Sequence, residues 1–203
     1  MTALEIPIVM AITGASGAPY AVRLLEQLLV AKQPVQLIVS SHGLRLLRTE
    51  TEIDSTDALR LAAGAERWDA LVTLFDDNDR GAAPASGSAR NRGMVICPCS
   101  MGTVSAISHG TSRSLVERAA DVALKERRTL VLVPRETPYS AIHLENLLRL
   151  TRAGAVVLPA SPGFYHRPTS IAELVDFVVA RVLDQLGVEH ALGTRWGENG
   201  EDG

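Results

Sequence analysis

The stretch Ile6-Pro7-Ile8-Val9-Met10-Ala11-Ile12-Thr13-Gly14-Ala15-Ser16-Gly17-Ala18-Pro19 decides the fold class. Ile6 to Thr13 is a short apolar run with β-branched residues, bounded by Gly14, and reads as a buried strand. Ala18 to Ala31 follows, with Leu24, Leu25, Leu28 and Leu29 at helical spacing. Pro19 fits the first turn of that helix, where a missing N–H leaves no bond unmade. The pattern then repeats. Val35 to Val39 is a second buried strand, and a helix from about Leu44 to Thr49 follows. Leu71 to Phe75 and Met94 to Ile96 are further strands, the latter ending at Cys97-Pro98-Cys99. Ser114 to Arg127 has helical period and Thr129 to Val133 is a clean apolar strand. Tyr139 to Thr151 is a helix with Leu144, Leu147, Leu148 and Thr151 on one face. Ala155 to Leu158 is the last strand, and Ile171 to Leu186 is the last helix, stopped by Gly187. Strands alternating with helices predict an α/β protein, a three-layer, Rossmann-like open parallel sheet with helices on both faces and right-handed crossovers. Residues 1–192 read as a single domain and residues 193–203 as a polar C-terminal tail. Asp76 to Arg92 has no period; a loop of that length in a compact domain is usually functional or disordered.

Composition agrees and removes other classes. The chain has 203 residues, 46% hydrophobic and 21% charged, which is an ordinary globular balance. Aromatic content is only 4%, so the core is aliphatic. Phe75 and Phe177 read as core, and Tyr20 and Trp68 as packing or surface. Twenty basic against 23 acidic residues give a net charge of -3 with no like-charge block, so no nucleic-acid partner is expected. No apolar run approaches the ~20 residues of a membrane span, so no membrane partner is expected either. The N-terminus lacks the basic region and cleavage site of a secretory signal. Cys97 and Cys99 flank Pro98, which suits buried strand-end residues better than a disulfide. A cytoplasmic location is the simplest expectation. The five histidines show no metal-ligand spacing, so no metal site is expected.

In open α/β sheets ligands bind outside the carboxyl ends of the strands. Gly14-Ala15-Ser16-Gly17 follows the first strand and opens a helix whose N–H groups suit an anion. Ser40-Ser41 follows the second, Ser100-Met101-Gly102-Thr103 the Cys97-Pro98-Cys99 segment, and Pro134-Arg135-Glu136-Thr137-Pro138 the Thr129 strand. Gly163-Phe164-Tyr165-His166-Arg167 lies beyond the last. Hydroxyls, N–H groups and an arginine gathered on one rim suit a phosphorylated ligand such as a mononucleotide. The glycines form neither a dinucleotide fingerprint nor a P-loop, and Ser16 misses the nucleophile-elbow spacing. Glu136 has two readings, a partner for a helix dipole or a proton relay beside Arg135. Arg118 and Lys125, seven residues apart, are a solvated face or a phosphate clamp. Arg181 lies within an apolar helix as an amphipathic edge.

Taken together, the Gly14–Gly17 turn, the Pro98–Thr103 segment, the run RAADVALKERRTLVLVPRETP (118–138), the block HLENLLRLTRAGAVVLPASPGFYHRP (143–168) and DFVVARVLDQLG (176–187) resemble the UbiX-like flavin prenyltransferases from about Ile8 to Trp196. That family shares its flavoprotein fold with the FMN-dependent cysteine decarboxylases. The resemblance implies a metal-independent enzyme that joins the dimethylallyl group of dimethylallyl monophosphate to N5 and C6 of reduced FMN. The product, prenylated FMN, serves UbiD-type decarboxylases in ubiquinone biosynthesis or aromatic acid decarboxylation. It also implies a homododecamer with sites at subunit junctions. By resemblance, Gly14, Ala15, Ser16, Ser40, Ser100, Met101, Gly102, Thr103 and Arg135 contact FMN. Tyr165, Arg181, Lys125, Arg118 and Trp196 serve the allylic phosphate side. Glu136 is the acid/base, Ser16 a proton relay and Glu50 a further pocket carboxylate. Two positions depart from the family pattern: Arg80-Gly81 where some relatives carry Trp, and Ser41 where some carry Lys. An FMN-dependent decarboxylase and a non-catalytic flavin-binding or delivery protein are the alternatives.

Overall fold

Among the residues described by the computed structural model, 6–193, six strands form one sheet in the order β3-β2-β1-β4-β5-β6. They are β1 (Ile8–Ile12), β2 (Val35–Val39), β3 (Val72–Phe75), β4 (Gly93–Cys99), β5 (Thr129–Pro134) and β6 (Val156–Val157). Every pairing is parallel. The helices between them are α1 (Ala18–Val30), α2 (Ser41–Glu50), α3 (Thr56–Ala63), α4 (Ala65–Leu71), α5 (Met101–Ser108), α6 (Leu115–Lys125), α7 (Ala141–Arg152) and α8 (Ile171–Leu186). This order reverses direction between β1 and β4, the switch point at which open α/β sheets hold ligands.

Alternation along each strand divides the core in two. Ile8, Met10, Ile12, Val35, Leu37, Val95, Cys97, Val131 and Val133 face α1 and α8, with Leu47 of α2, Leu59 of α3 and Trp68 of α4 in the same cluster. Val9, Ala11, Ile38, Met94, Ile96, Cys99, Leu130 and Leu132 face α5, α6 and α7. Both cysteines are free and buried, as their place at a strand end suggests.

Six helices begin at a serine whose hydroxyl accepts the amide three residues on: Ser40, Ser55, Ser100, Ser114, Ser140 and Ser170. Each such cap contributes about 1 kcal/mol. Helix α1 lacks one. Its N-cap is Gly17 at φ 123, a conformation that suits glycine. The anion at its N-terminus is supplied from the end of α2: the Glu50 carboxylate accepts from the amides of Gly17 (2.7 Å) and Ala18 (2.8 Å). The start of α1 therefore holds one of the chain's own carboxylates rather than an open anion position.

Several local expectations change. Residues 51–70 carry no expected element, yet they hold α3 and most of α4, whose last residue, Leu71, is the expected start of the third strand; helices of eight and seven residues are shorter than the window over which a helical period is read. The α2 helix starts at Ser41, three residues before the expected start, since the Ser40 cap lies upstream of its first leucine. In α7 the buried positions are Asn146, Leu147 and Leu150, while Leu144 and Leu148 are about half exposed. Leucine spacing alone misplaced that face. Trp68 is buried, whereas Phe75 and Phe177 are only partly so. Of the expected tail, only Gly193 falls among the described residues.

Two outcomes follow for stability. Thr13, 3% exposed, ties the ends of β1 and β4: its Oγ1 donates to the Pro98 carbonyl and accepts from the Ser100 amide, both at 2.9 Å. Thr13→Val keeps the shape and removes both bonds, so it is expected to lower unfolding free energy by about 1–3 kcal/mol in urea titration without changing the slope. For Glu50, burial pushes the carboxyl up. The Gly17 and Ala18 amides, the Ser16 hydroxyl and the Arg135 charge outweigh it and hold the group below its ordinary value. A native pKa below the unfolded value of about 4.3 means this stabilisation is present above that value and is lost as pH falls through the native pKa. Glu50→Gln is therefore expected to reduce stability at neutral pH, and the difference from the parent protein is expected to shrink in acid melts.

Candidate active site

The carboxyl ends of the parallel strands open onto a row of cavities. The first, of about 330 Å³, straddles the switch point and is lined by Thr13, Gly14, Ser40, His42, Asp77, Ser100, Thr103, Ser114, Val116 and Glu117. Three serine caps, those of α2, α5 and α6, line it. The Ser40 hydroxyl accepts from the Gly43 amide at 3.0 Å. That of Ser100 accepts from the Thr103 amide at 3.1 Å and bonds the Thr103 hydroxyl at 2.9 Å. Helix N-termini and hydroxyls at the head of one cleft suit a phosphate ester and a polyol chain. Close packing sets its floor. A Cβ on Gly14 would lie 2.5 Å from the His42 Cβ, and one on Gly43 would lie 2.3 Å from the Ile12 carbonyl oxygen.

The second cavity, of about 300 Å³, follows β5 and is lined by Pro134, Arg135, Glu136, Thr137, Pro138, Tyr139, Ala160 and Ser161. The Arg135 Nε is buried and has no hydrogen-bond partner among the described residues. An unpartnered buried N–H at a cavity wall is a donor that fits a polar ring edge or an anion. The Arg135 charge reaches Glu50, which links this cavity to Ser16 and the start of α1. Glu136 accepts from the Thr137 amide at 3.1 Å. Burial and then the Glu136 charge push the Tyr139 phenol up, against the pull of Arg135.

A third cavity, of about 600 Å³, lies against α8 and is lined by Tyr165, His166, Glu173, Asp176, Phe177, Ala180, Arg181, Asp184, His190, Leu192 and Gly193. His166 stacks on Phe177 at 5.4 Å, and Tyr165 meets both rings edge-on. Asp176 is held by Arg23 of α1 through two bonds, at 2.6 and 3.0 Å. A fourth cavity, about 340 Å³, is walled by Ser161 together with Phe177 and Arg181. Ser161 also walls the β5 cavity, and Phe177 and Arg181 also wall the α8 cavity, so the three cavities are neighbours with shared walls.

Gly14, Ser40, Ser100 and Thr103 thus meet in one cavity, Arg135 and Glu136 in the next, and Tyr165 and Arg181 in the third. Ser16 and Glu50 meet between the first two. Ala15 and Met101 are buried. Gly102 is exposed beside the Ser100 hydroxyl. Lys125 and Arg118 lie on α6 and line none of these four cavities. Arg118 pairs with Asp121 at 2.8 Å, and Lys125 pairs with Glu126 beside Gly87. Within one chain they make no clamp. Trp196 lies outside the described residues. Sequence reading missed Asp77, Ser114, Asp176, Asp184 and His190. Ser114 carried a capping signal, but nothing local marked the others. Among the described residues, no group of three or more His, Cys, Asp or Glu is placed to hold a metal.

Residues 2–183 match the model of the Flavoprotein family. The flavin prenyltransferase UbiX of Pseudomonas aeruginosa is 50% identical over 202 residues, covering 94% of each chain. The crystal structure of AnUbiX in complex with FMN and dimethylallyl pyrophosphate superposes with a TM-score of 0.83 at 39% identity, over 94% of this chain and 99% of that one. A dodecameric FMN-dependent UbiX-like decarboxylase from Escherichia coli O157:H7 gives 0.83 at 41% identity, over 91% and 97%. The chain belongs to the Flavoprotein family and, within it, to the UbiX flavin prenyltransferases.

Proposed function

We propose that this protein transfers the dimethylallyl group of dimethylallyl monophosphate to N5 and C6 of reduced FMN, releasing phosphate and giving prenylated FMN for a UbiD-type decarboxylase in the same cytoplasm. The observation that carries this reading is the run of neighbouring cavities, with shared walls, that sets the unpartnered Arg135 Nε and Glu136 on one side and Tyr165 and Arg181 on the other. A flavin carrier has no use for a second cation and a carboxylate beside its flavin site.

When bound, reduced FMN supplies the nucleophilic N5 and, for ring closure, C6. The chain's own residues do the rest. Ser40, Ser100 and Thr103, with the backbone at Gly14, Ala15, Met101 and Gly102, hold the phosphate and ribityl end. Arg135 directs its free Nε at the ring system. Arg181 and the Tyr165 hydroxyl take the allylic phosphate and stabilise the charge that grows as the carbon–oxygen bond breaks. Aromatic faces steady the positive character left on the allyl carbon. Glu136 gives a proton to the departing phosphate and takes one during ring closure. Ser16, oriented by Glu50, relays a proton near N5. Glu50 itself, held ionised by the α1 amides, acts by orienting Ser16.

The monophosphate is favoured by charge. One guanidinium, that of Arg181, shares the α8 cavity with Glu173, Asp176 and Asp184, which disfavours a more highly charged diphosphate. Assembly as a homododecamer, as in the relative from E. coli, gives Lys125, Arg118 and Trp196 a route to the phosphate of a neighbouring copy. The name of that relative favours one second reading, FMN-dependent decarboxylation.

The test is anaerobic incubation with reduced FMN and either dimethylallyl monophosphate or the diphosphate, followed by mass spectrometry of the flavin. A mass gain of one dimethylallyl unit with the monophosphate is expected. An unchanged flavin in a folded, FMN-binding protein would overturn the reading, and release of carbon dioxide from an added acid would favour the second. Glu136→Gln is expected to slow product formation by about 10²–10⁴-fold, the usual share of a general acid–base, with FMN still bound. Full turnover in that variant would remove Glu136 from the mechanism.

A further inference from the structure

The end of α8 folds back on itself. Gly187, at φ 64, closes the helix in a left-handed turn. Its amide donates to the Asp184 carbonyl, and the Val188 amide donates to the Leu183 carbonyl. The reversal returns the chain along the last turn of α8 and sets His190 beside Asp184. Arg92, at the opposite end of its own loop, locks the turn by donating to the Gly187 carbonyl at 2.9 Å. His190 is neither a surface residue nor a core one: its side chain is 4% exposed, yet it lines the α8 cavity.

Its two ring nitrogens have different neighbours. The Leu192 amide points at Nδ1 from 3.2 Å. An amide N–H only donates, so Nδ1 accepts and the ring proton stands on Nε2. Nε2 lies 3.3 Å from Asp184 Oδ1. The other oxygen, Oδ2, accepts from Arg181 Nη1 at 2.8 Å. The Asp184 carboxylate is thereby gripped by a buried ring on one side and presents its second oxygen to the guanidinium on the other. Arg181 is more than half exposed. An exposed arginine samples many rotamers, and a lone surface ion pair at i,i+3 restrains it weakly. A carboxylate whose plane is already fixed restrains it more, because less freedom is lost when the pair forms. One guanidinium N–H goes to Asp184, and the remaining donors stay available to an anion in the cavity.

We propose that His190 is a positioning residue for phosphate recognition, fixing the Asp184 carboxylate so that the Arg181 guanidinium faces the α8 cavity. The proposal rests on the reading that Arg181 receives the allylic phosphate. It assigns His190 no contact with substrate and no proton transfer.

The test uses the FMN-loaded full-length protein and four variants: His190→Ala, His190→Gln, Asp184→Asn and the double variant His190→Ala/Asp184→Asn. Turnover is measured against dimethylallyl monophosphate concentration, binding of the same compound by calorimetry, and FMN affinity separately. His190→Ala is expected to raise KM and Kd for dimethylallyl monophosphate by roughly three- to ten-fold, the scale of one ordinary hydrogen bond felt through Arg181, with FMN affinity unchanged. His190→Gln, which can still donate from Nε2, is expected to recover most of that loss. In the Asp184→Asn background, His190→Ala is expected to add nothing further, because its effect passes through Asp184. The inference is overturned if His190→Ala leaves donor affinity at the parent value. It is also overturned if His190→Ala weakens FMN and donor binding alike with a lower melting temperature, if glutamine fails to rescue, or if the two substitutions are additive. If the parent protein binds dimethylallyl monophosphate without turning it over, the prenyl-transfer reading fails alone and the calorimetric comparison still decides the role of His190. If the parent protein does not bind the compound, both fall.

Discussion

Parallel pairing is the constraint on which the rest of this structure depends. Every strand delivers its carboxyl end to the same edge of the sheet, so every following helix presents its N-terminus there as well. Five strand-to-helix junctions therefore crowd one rim with unsatisfied amides. The chain answers at most of them with serine. At α1 it answers with Glu50, brought from the end of the next helix. The same rim is thus both the place that most needs capping and the place where a phosphorylated ligand is best held. Ser40 and Ser100 stand where the two demands meet, since each hydroxyl caps a helix and each residue lines the first cavity.

The switch point adds the second ingredient. Helix α1 leaves β1 toward one face and α5 leaves β4 toward the other, which parts the rim into a cleft. Thr13 bridges that cleft at its root, tying β1 to Pro98 and Ser100. Farther along, the last strand is only two residues long, so the chain from Pro159 to Ser170 is free to lay Tyr165 and His166 against Phe177 of α8.

Much of this was legible in the sequence, and the exceptions have physical causes. The strands and α8 declared themselves because buried strands are continuous apolar runs and α8 is long enough to show its period. The helices α3 and α4 did not, since eight and seven residues are about two turns each, too few repeats to set a helical period apart from chance. The buried face of α7 was misjudged because leucines on a helix mark a core only when something covers them; here Asn146 faces inward and bonds Ser108 at 2.9 Å. For the site, glycine and hydroxyl residues after strands were readable from position alone. The Glu50 contact with Gly17 and Ala18, and the alignment of Arg181, Asp184 and His190, come from tertiary folding and from a helix reversal. Neither leaves a periodic signal.

The fate of the two cysteines has a consequence for the chemistry nearby. Cys97 and Cys99 are the thiols of the whole chain, and both are buried in β4, on opposite faces of the sheet. Burial pushes the Cys97 thiol up to about 12 and that of Cys99 higher still. Neither is a thiolate at neutral pH, and neither is reached from the rim. A protein that handles an allylic electrophile is thereby protected from alkylating itself at a thiol. The same burial turns these thiols into reporters: a maleimide added to the folded protein reads how often the centre of the sheet opens, and a ligand that binds only the folded state slows that reading.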